Sequence, residues 1–514
     1  MNGAESLVRT LLAGGVKTCF ANPGTSEIHI VAALDRVSEM RCVLGLFEGV
    51  VTGAADGYAR MAGRPASTLL HLGPGLANGL ANLHNARRAR VPIVNLIGQH
   101  ATFHVPHDAP LTSDIEGIAR PYSRWLRTSA ATPELGRDAA EAMMAARTPP
   151  GQIATLIVPA DLAWSEGGRV AAISAAPVAP RPAVEKIEHA ATMLRSGVRT
   201  AVLLAGNGLY GQGLNLAGRI AATTGAKLLS PYPFTRFERG AGIPPVDRVH
   251  YILEQAKEQL REFRQLILVG CATPVAYFAA PGKDAVLSSP ECDIYSLATP
   301  GEDCLGALEA LASALSADHT PPVVEPAQRP PLPKGAITLA GLSAAVGALL
   351  PENAVVVDES MTSGRGLMVA TKGAPPHEWL GNTGGSIGIA LPLAVGAAIA
   401  SPDRRVLCLT ADGSAMYTAQ ALWSMAREAL NVTTVVFANR DYAVLKREFS
   451  YLGVGNPGPR ALDMFEINRP DLDWVLMAKG MGVPGTRVNS LDGFGEALQA
   501  GLEGEGPTLI EVPL

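Results

Sequence analysis

A chain of 514 residues, at roughly 150 residues per domain, has the length of about three domains. Hydrophobic residues make up 47%, charged residues 17% and aromatic residues only 5%, the balance of a protein with several buried parallel sheets. A net charge of −5 and the lack of any basic run argue against nucleic acid and anionic membranes as partners.

The N-terminus Met1-Asn-Gly-Ala-Glu5 has no basic region, and the apolar run from Leu7 to Val16 is broken by Arg9 and two glycines. Neither a signal peptide nor a membrane span is expected, which leaves the cytoplasm by default. Six cysteines are scattered without paired spacing, several in apolar strand-like runs, as buried thiols of a reducing compartment would be. Two proline-rich stretches, 175–182 and 320–333, read as semi-rigid linkers. The parts they separate each alternate apolar strand-like runs with helix-like segments. The expected fold class is α/β, with three doubly wound parallel-sheet domains over 1–170, 185–318 and 335–514.

In the first part, strands are expected over 18–22, 42–46, 66–71, 93–97 and 153–158. Asn22-Pro-Gly-Thr-Ser-Glu27 and Leu70-His-Leu-Gly-Pro-Gly-Leu-Ala-Asn78 each pass from a strand end through a glycine turn into a helix, where ligands collect in such sheets. Glu48 follows a strand and opens a helix; taken alone, it needs no role beyond favouring the helix dipole. His71 alone reads as a hydrogen-bonded core histidine. His100, His104 and His107 have the spacing of zinc ligands on a helix, but Pro106 interrupts it and no cysteine or carboxylate nearby completes a set. That stretch is expected to be a loop over the mouth of a site, with Gln99 and His104 as substrate contacts.

The middle part should hold strands over 201–205, 227–230 and 266–270. Gly206-Asn-Gly-Leu-Tyr-Gly211 satisfies the G-x-G-x-x-G pattern after a strand. A dinucleotide site would need an acidic residue after the next strand, and Pro231-Tyr-Pro233 stands there instead. A structural turn is the expectation.

The third part should hold strands over 354–358, 405–410, 433–437 and 508–512. Its centre reads as a strand, a sharp turn at Ala411-Asp412-Gly413, a helix and a second strand ending at Asn439, 27 positions after Asp412. A carboxylate and an amide at the carboxyl ends of two parallel strands can converge, and such oxygen ligands suit Mg²⁺ together with substrate phosphates. Gly413 permits close approach, and the N–H groups around Ser414 at a helix start suit a diphosphate.

Asp412-Gly-Ser414, followed by Asn439, Asp441 and Tyr442, resembles the thiamine-diphosphate-binding motif of decarboxylases and acetohydroxyacid synthases. That family usually writes Gly-Asp-Gly and Asn-Asn, where Ala411 and Arg440 stand here; Asp412, Asn439 and the Asp441 carbonyl are all present as metal ligands. The resemblance implies Mg²⁺ on those three, and thiamine diphosphate bound through Asp412, Gly413, Ser414, Asn439, Asp441 and Tyr442. Asn382-Thr-Gly-Gly-Ser-Ile-Gly388 resembles the family segment that grips the aminopyrimidine. On it the Gly385 carbonyl would accept from the 4′-amino group, and Ile387 would be the stiff wedge under a bent cofactor. The stretch from Phe47 to Arg60 resembles the helix of the family's catalytic glutamate, so Glu48 would hold the aminopyrimidine ring and promote the C2 ylide. Thr25 and His71 fall on an active-site serine and histidine of benzoylformate decarboxylase; a second histidine of that enzyme falls near Phe278, which makes Phe278 an apolar substrate contact.

The implied architecture is a pyrimidine-binding domain, a middle domain and a diphosphate-binding domain. Sites would lie between the first domain of one subunit and the third of another, in a homodimer or homotetramer. The implied activity is decarboxylation, with carboligation, of a 2-oxo acid through ylide and enamine. Alternatives are acetolactate synthesis, 2-hydroxyacyl-CoA cleavage and silent cofactor binding. Acetohydroxyacid synthases usually carry a lysine where Pro159-Ala160-Asp161 stands and a substrate-binding arginine segment where Cys271 to Phe278 stands. Those absences disfavour acetolactate synthesis and FAD.

Overall fold

The computed structural model describes all 514 residues. Apolar runs become strands wherever both faces are covered, giving three sheets. The first comprises β1 (Thr18–Asn22), β2 (Arg41–Leu44), β3 (Ala66–Leu70), β4 (Ile93–Gln99), β5 (Trp125–Thr128) and β6 (Ile153–Pro159). All are parallel, in the order β2-β1-β3-β4-β6-β5. The chain then forms β7 (Thr200–Leu204) and β8 (Lys227–Ser230), and lends β9 (Arg236–Arg239) to the third sheet. It returns for β10 (Asp247–Arg248), β11 (Gln265–Val269) and β12 (Asp293–Ala298). The second sheet is parallel, in the order β10-β8-β7-β11-β12. The third contains β13 (Val355–Glu359), β14 (His377–Gly381), β15 (Val406–Ala411), β16 (Val432–Ala438), β17 (Gly485–Arg487) and β18 (Thr508–Pro513). Its order is β17-β18-β16-β15-β13-β14-β9, and only β9 runs antiparallel.

All twelve expected strands are present, within a few residues at their ends. Six were not anticipated, and five of those (β5, β9, β10, β12 and β17) lie at sheet edges, where short polar strands lack the apolar signature. In the first sheet the strand order reverses between β1 and β3, and in the third between β13 and β15. Those two switch points open crevices at the carboxyl ends of the strands.

The first and third sheets share one core through two helices, Glu48–Ala62 and Ala390–Ala400. Glycine makes the approach close: a Cβ on Gly57 would lie 2.2 Å from the Leu393 carbonyl oxygen, and one on Gly396 only 1.9 Å from that of Ala54. Val50, Val51, Ala54 and Tyr58 are buried there against Leu391, Leu393, Ala394 and Val395. Inside this contact lies a fully buried ion pair. Asp56 takes both forks of Arg60 at 2.7 Å, and the remaining Arg60 donors reach the carbonyls of Thr235 and Gly381 and the Thr383 hydroxyl.

Removing one partner of such a pair strands the other charge in the core. Arg60→Leu should destabilise the protein by about 3–5 kcal/mol. Adding Asp56→Leu to it should restore part of that loss in thermal or denaturant unfolding. A loss well under 1 kcal/mol for the single change would contradict this role.

Candidate active site

The strand ends of the first sheet bring four predicted residues to one rim. β1 leads through Pro23 and Gly24 into the turn Thr25–Glu27, and β3 leads into His71 at the head of helix Leu72–Ala89. Gly24 lies on the His71 ring, where a Cβ would come 2.3 Å from Nδ1. His71 Nδ1 meets Glu27 Oε2 at 2.7 Å, and the same oxygen accepts from the Gly24 N–H. The Glu27 side chain is wholly buried; its other oxygen has no partner and faces Gly98 near the end of β4. Burial pushes the Glu27 carboxyl above its ordinary range, while the Gly24 N–H and His71 pull it down. With Nδ1 held by a carboxylate, Nε2 is the nitrogen of His71 left for proton exchange.

Glu48 begins its helix as expected and is only 9% exposed. Oε2 accepts from the Asn78 amide at 3.0 Å, while Oε1 stands over Gly75. A Cβ on Gly75 would lie 3.2 Å from that oxygen and 3.4 Å from the His71 Cβ, so Glu48 and His71 are one glycine apart. Thr25 is exposed at the rim. Gln99 ends β4 and turns its amide oxygen onto the His100 N–H. His104 is exposed, its ring 5.2 Å from that of His100 and 5.9 Å from that of His107. Burial, then the His104 and His71 imidazoles, hold His100 below the usual histidine range, which puts this loop beside His71. No cluster of histidine, cysteine or carboxylate side chains has the geometry of a metal site.

In the third sheet β15 and β16 are neighbours, with Ala411 opposite Phe437, so Asp412 and Asn439 leave adjacent strand ends. Asp412 is 2% exposed. Its Oδ2 accepts from the Arg440 N–H at 2.7 Å and its Oδ1 from the Gly413 N–H at 2.9 Å. Burial raises the Asp412 carboxyl, and those backbone donors oppose the rise. Arg440 has a left-handed φ of +56°, which turns the Asp441 N–H onto Asn439 Oδ1 at 3.1 Å. Lys446 holds the Asp441 carboxylate at 2.7 Å, and the Asp441 carbonyl accepts no hydrogen bond from the chain. Gly413 lies under the Tyr442 ring, whose Cε1 would be 2.6 Å from a Cβ.

The helix expected after Gly413 is a single turn, Asp412–Ala415, which buries Ser414; a second helix starts only at Ala421. The interruption has a cause. Thr418 Oγ1 donates to the Gly388 carbonyl at 2.7 Å and Tyr417 packs on Gly388, drawing the chain off the helical line.

Gly388 belongs to the segment after β14. Gly385 and Gly388 have φ of +80° and +89°, conformations that a side chain would strain. Asn382 Oδ1 accepts from the Gly385 N–H, and Asn85 of the first unit both donates to the Ser386 carbonyl and accepts from its N–H. His84 Nε2 lies 3.1 Å from the Gly384 carbonyl. Ile387 is half-buried.

The middle unit places Tyr277 on this segment, so close that a Cβ on Gly385 would strike its hydroxyl. Phe278, 59% exposed, stacks edge-on to Tyr277, which in turn meets Tyr251 under the Arg447 guanidinium. The Gly206–Gly211 turn is closed by protein. The N–H of Gly211, which opens helix Gly211–Thr224, donates to the Glu238 carboxylate at 2.6 Å, where a phosphate would otherwise sit.

Two buried carboxylates were missed in the sequence. Glu27 stands three residues after Gly24, a capping-box spacing that could have drawn notice. Glu359 ends β13 and is wholly enclosed, accepting from Asn382 Nδ2 and from the N–H groups of Gly388 and Ala390 at 3.0 to 3.1 Å. Burial lifts its carboxyl to about 7. Its signal was a carboxylate at an apolar strand end, the same that marks Asp412.

Residues 1–117 match the family described as thiamine pyrophosphate enzyme, N-terminal TPP binding domain, and residues 364–512 match its C-terminal TPP binding domain. The chain is 53% identical to a Mycobacterium tuberculosis protein provisionally named acetolactate synthase large subunit IlvX, over 100% of this chain and 99% of the relative. It is 29% identical to benzoylformate decarboxylase of Pseudomonas aeruginosa, over 97% and 96% of the two chains. Its fold is similar to that of the thiamine diphosphate-dependent 4-hydroxybenzoylformate decarboxylase of Rhodococcus jostii RHA1, with a TM-score of 0.86 at 23% identity over 100% and 99% of the chains.

The raised Glu359 carboxyl has a consequence for stability. From the ordinary 4.5 to about 7 the folded chain keeps a proton that the unfolded chain has lost, so this group's contribution falls as pH rises through that window. Melting temperatures of the native protein should decline over that range more steeply than those of Glu359→Gln. Parallel slopes would contradict the assignment.

Proposed function

The chain belongs to the thiamine pyrophosphate enzyme family, and from that premise we propose that it decarboxylates a 2-oxo acid, with carboligation as a second outcome, using thiamine diphosphate and Mg²⁺. The observation that carries the reading is that the buried Glu48 carboxyl and His71, whose imidazole a carboxylate holds, stand on either side of Gly75.

The residues present fit the cofactor. Asp412, Asn439 and the free carbonyl of Asp441 form an all-oxygen set of the kind Mg²⁺ prefers. Gly413, Ser414 and Tyr442 would border the diphosphate, and the exposed Gly385 carbonyl with Ile387 would hold the aminopyrimidine. When bound, thiamine diphosphate would supply an electron sink for the pair left behind as CO₂ departs.

The chain's own residues do the rest. Glu48 holds a proton for the aminopyrimidine ring in a place nearly closed to water. His71, oriented by Glu27, exchanges a proton at Nε2 with the substrate oxygen. Thr25 at the rim donates to the substrate carboxylate, and Gln99 and His104 close the mouth. Phe278 with Tyr277 and Tyr251 makes one wall aromatic, which favours an apolar substrate side chain.

No hydrogen bond within one chain joins the Thr25, His71 and Gln99 strand ends to the Asp412 and Asn439 strand ends. Leu46 before Glu48, and Met416 and Tyr417 after Ser414, leave apolar surface exposed beside each half. A homodimer or homotetramer, with each site built from two copies, accounts for both. The six cysteines are unpaired, which suits the cytoplasm, and no helix is long and apolar enough to cross a membrane. The Glu238 carboxylate on Gly211 speaks against a flavin or other dinucleotide in the middle unit.

Acetolactate synthesis is the second reading, favoured by the name of the 53% identical relative. Purified protein with thiamine diphosphate and Mg²⁺ should release CO₂ from at least one of pyruvate, longer 2-oxo acids and benzoylformate. Glu48→Gln should lower kcat by about a hundredfold or more. Acetolactate formed from pyruvate would select the second reading. Cofactor bound without CO₂ from any acid would overturn both.

A further inference from the structure

Glu359, like Asp412 and Glu48, is offset by neutral donors alone, whereas other buried carboxylates nearby have a cation. Asp56 has Arg60, Glu378 has Arg236 and Arg404, and Glu27 has His71; Glu359 has no cationic partner at all. Its compensation comes from four hydrogen bonds, all from the segment after β14. Oε1 accepts from Asn382 Nδ2 at 3.0 Å and from the Gly388 N–H at 3.1 Å, while Oε2 accepts from the Ala390 N–H at 3.1 Å and again from Gly388 at 3.2 Å. Asn382 passes the constraint on, accepting from the Gly385 N–H at 2.8 Å and donating to the Ser386 carbonyl at 3.0 Å. A buried carboxylate is costly unless its donors are in place. This one finds them only when residues 382–390 take the observed shape, with left-handed turns at both Gly385 and Gly388.

We propose that Glu359 is a positioning residue for the cofactor: acting through Asn382 and Gly388, it fixes the shape of the 382–390 segment and so aims the Gly385 carbonyl at the aminopyrimidine. The inference rests on the reading of Gly385 as the aminopyrimidine acceptor. It makes a claim that reading does not, namely that the grip on the organic half of the cofactor is set from beneath, by a side chain that touches no part of it. A glutamine could not replace the carboxylate. It offers one acceptor oxygen where two are used, and its NH₂ would face the N–H groups of Gly388 and Ala390. The Asp412, Asn439 and Asp441 strand ends take their hydrogen bonds from Gly413, Arg440 and one another rather than from Glu359, and the link from Gly388 to Thr418 lies beyond them.

That separation makes the test selective. Full-length protein with Mg²⁺, at a pH above the window in which Glu359 keeps its proton, is titrated with thiamine diphosphate and, separately, with inorganic diphosphate, by calorimetry and by the fluorescence of tryptophan, including Trp379 on β14. The native chain should bind thiamine diphosphate more tightly than inorganic diphosphate. Glu359→Gln should weaken thiamine diphosphate binding by about tenfold or more, as loss of a charge-assisted hydrogen bond implies, and leave inorganic diphosphate binding within about twofold. Asn382→Ala, which breaks the relay at a half-buried position, should show the same selectivity and serves if the first variant does not fold. Unchanged thiamine diphosphate binding in the folded variants would overturn the inference and spare the functional reading. An equal loss for both ligands would also overturn it, since Glu359 would then act through general stability. A native chain that prefers inorganic diphosphate would overturn the functional reading itself.

Discussion

The structure depends most on the way residues 381–390 are held. This short stretch leaves β14, turns twice in left-handed conformations and enters the helix that locks the first and third units together. It is gripped from three directions. Arg60, neutralised by Asp56, takes the Gly381 carbonyl and the Thr383 hydroxyl; His84 and Asn85 take Gly384 and Ser386; Glu359 takes the N–H groups at the far end. Each grip is a buried polar group that is satisfied only in this arrangement, so the alternatives leave charges or donors unpaired in the core. A fold can hold an exposed glycine carbonyl in one place only by enclosing both ends of its loop in this way.

The same logic runs through the first unit on a smaller scale. Gly24, Gly75 and Gly98 are the gaps through which three side chains reach one another: His71 over the first, Glu48 over the second, Glu27 over the third. A methyl group at Gly24 or Gly98 would collide with a ring or a carboxylate, and one at Gly75 would crowd Glu48. The parallel sheet supplies the strand ends, and the glycines set how near the reacting groups may stand.

Much of this was legible in the sequence because parallel sheets write themselves as apolar runs, and because Asp412, Asn439 and Glu48 sit at the ends of such runs. What escaped was of two kinds. Strands such as Arg236–Arg239 and Gly485–Arg487 are short, charged edges whose pairing is decided by the sheet they join, so β9, antiparallel and drawn from between β8 and β10, had no local signature. The buried carboxylate Glu359 was hidden for the opposite reason: its partners are an amide and backbone N–H groups far along the chain, and spacing says nothing of those; at Glu27 the Gly24 spacing was readable but the distant His71 was not. The broken helix after Gly413 belongs here too, since Thr418 is pulled aside by a carbonyl thirty residues upstream.

The two half-sites each have internal support, yet within one chain no hydrogen bond joins the Thr25 and His71 strand ends to those of Asp412 and Asn439; the units meet instead through packed helices and the bonds of Arg60, His84 and Asn85 to residues 381–386. In the proposed function a second copy closes the site, so that Glu48 of one chain would work with Asp412 of another. The most direct test is activity of a mixed oligomer. Chains carrying Glu48→Gln and chains carrying Asp412→Ala, with different affinity tags, are co-expressed, and the hybrid is isolated by both tags. Each variant alone should be nearly inactive, whereas the hybrid should recover up to about half of native CO₂ release, because one site in each pair keeps both residues. A hybrid as inactive as its parents would contradict the account and return the whole site to a single chain.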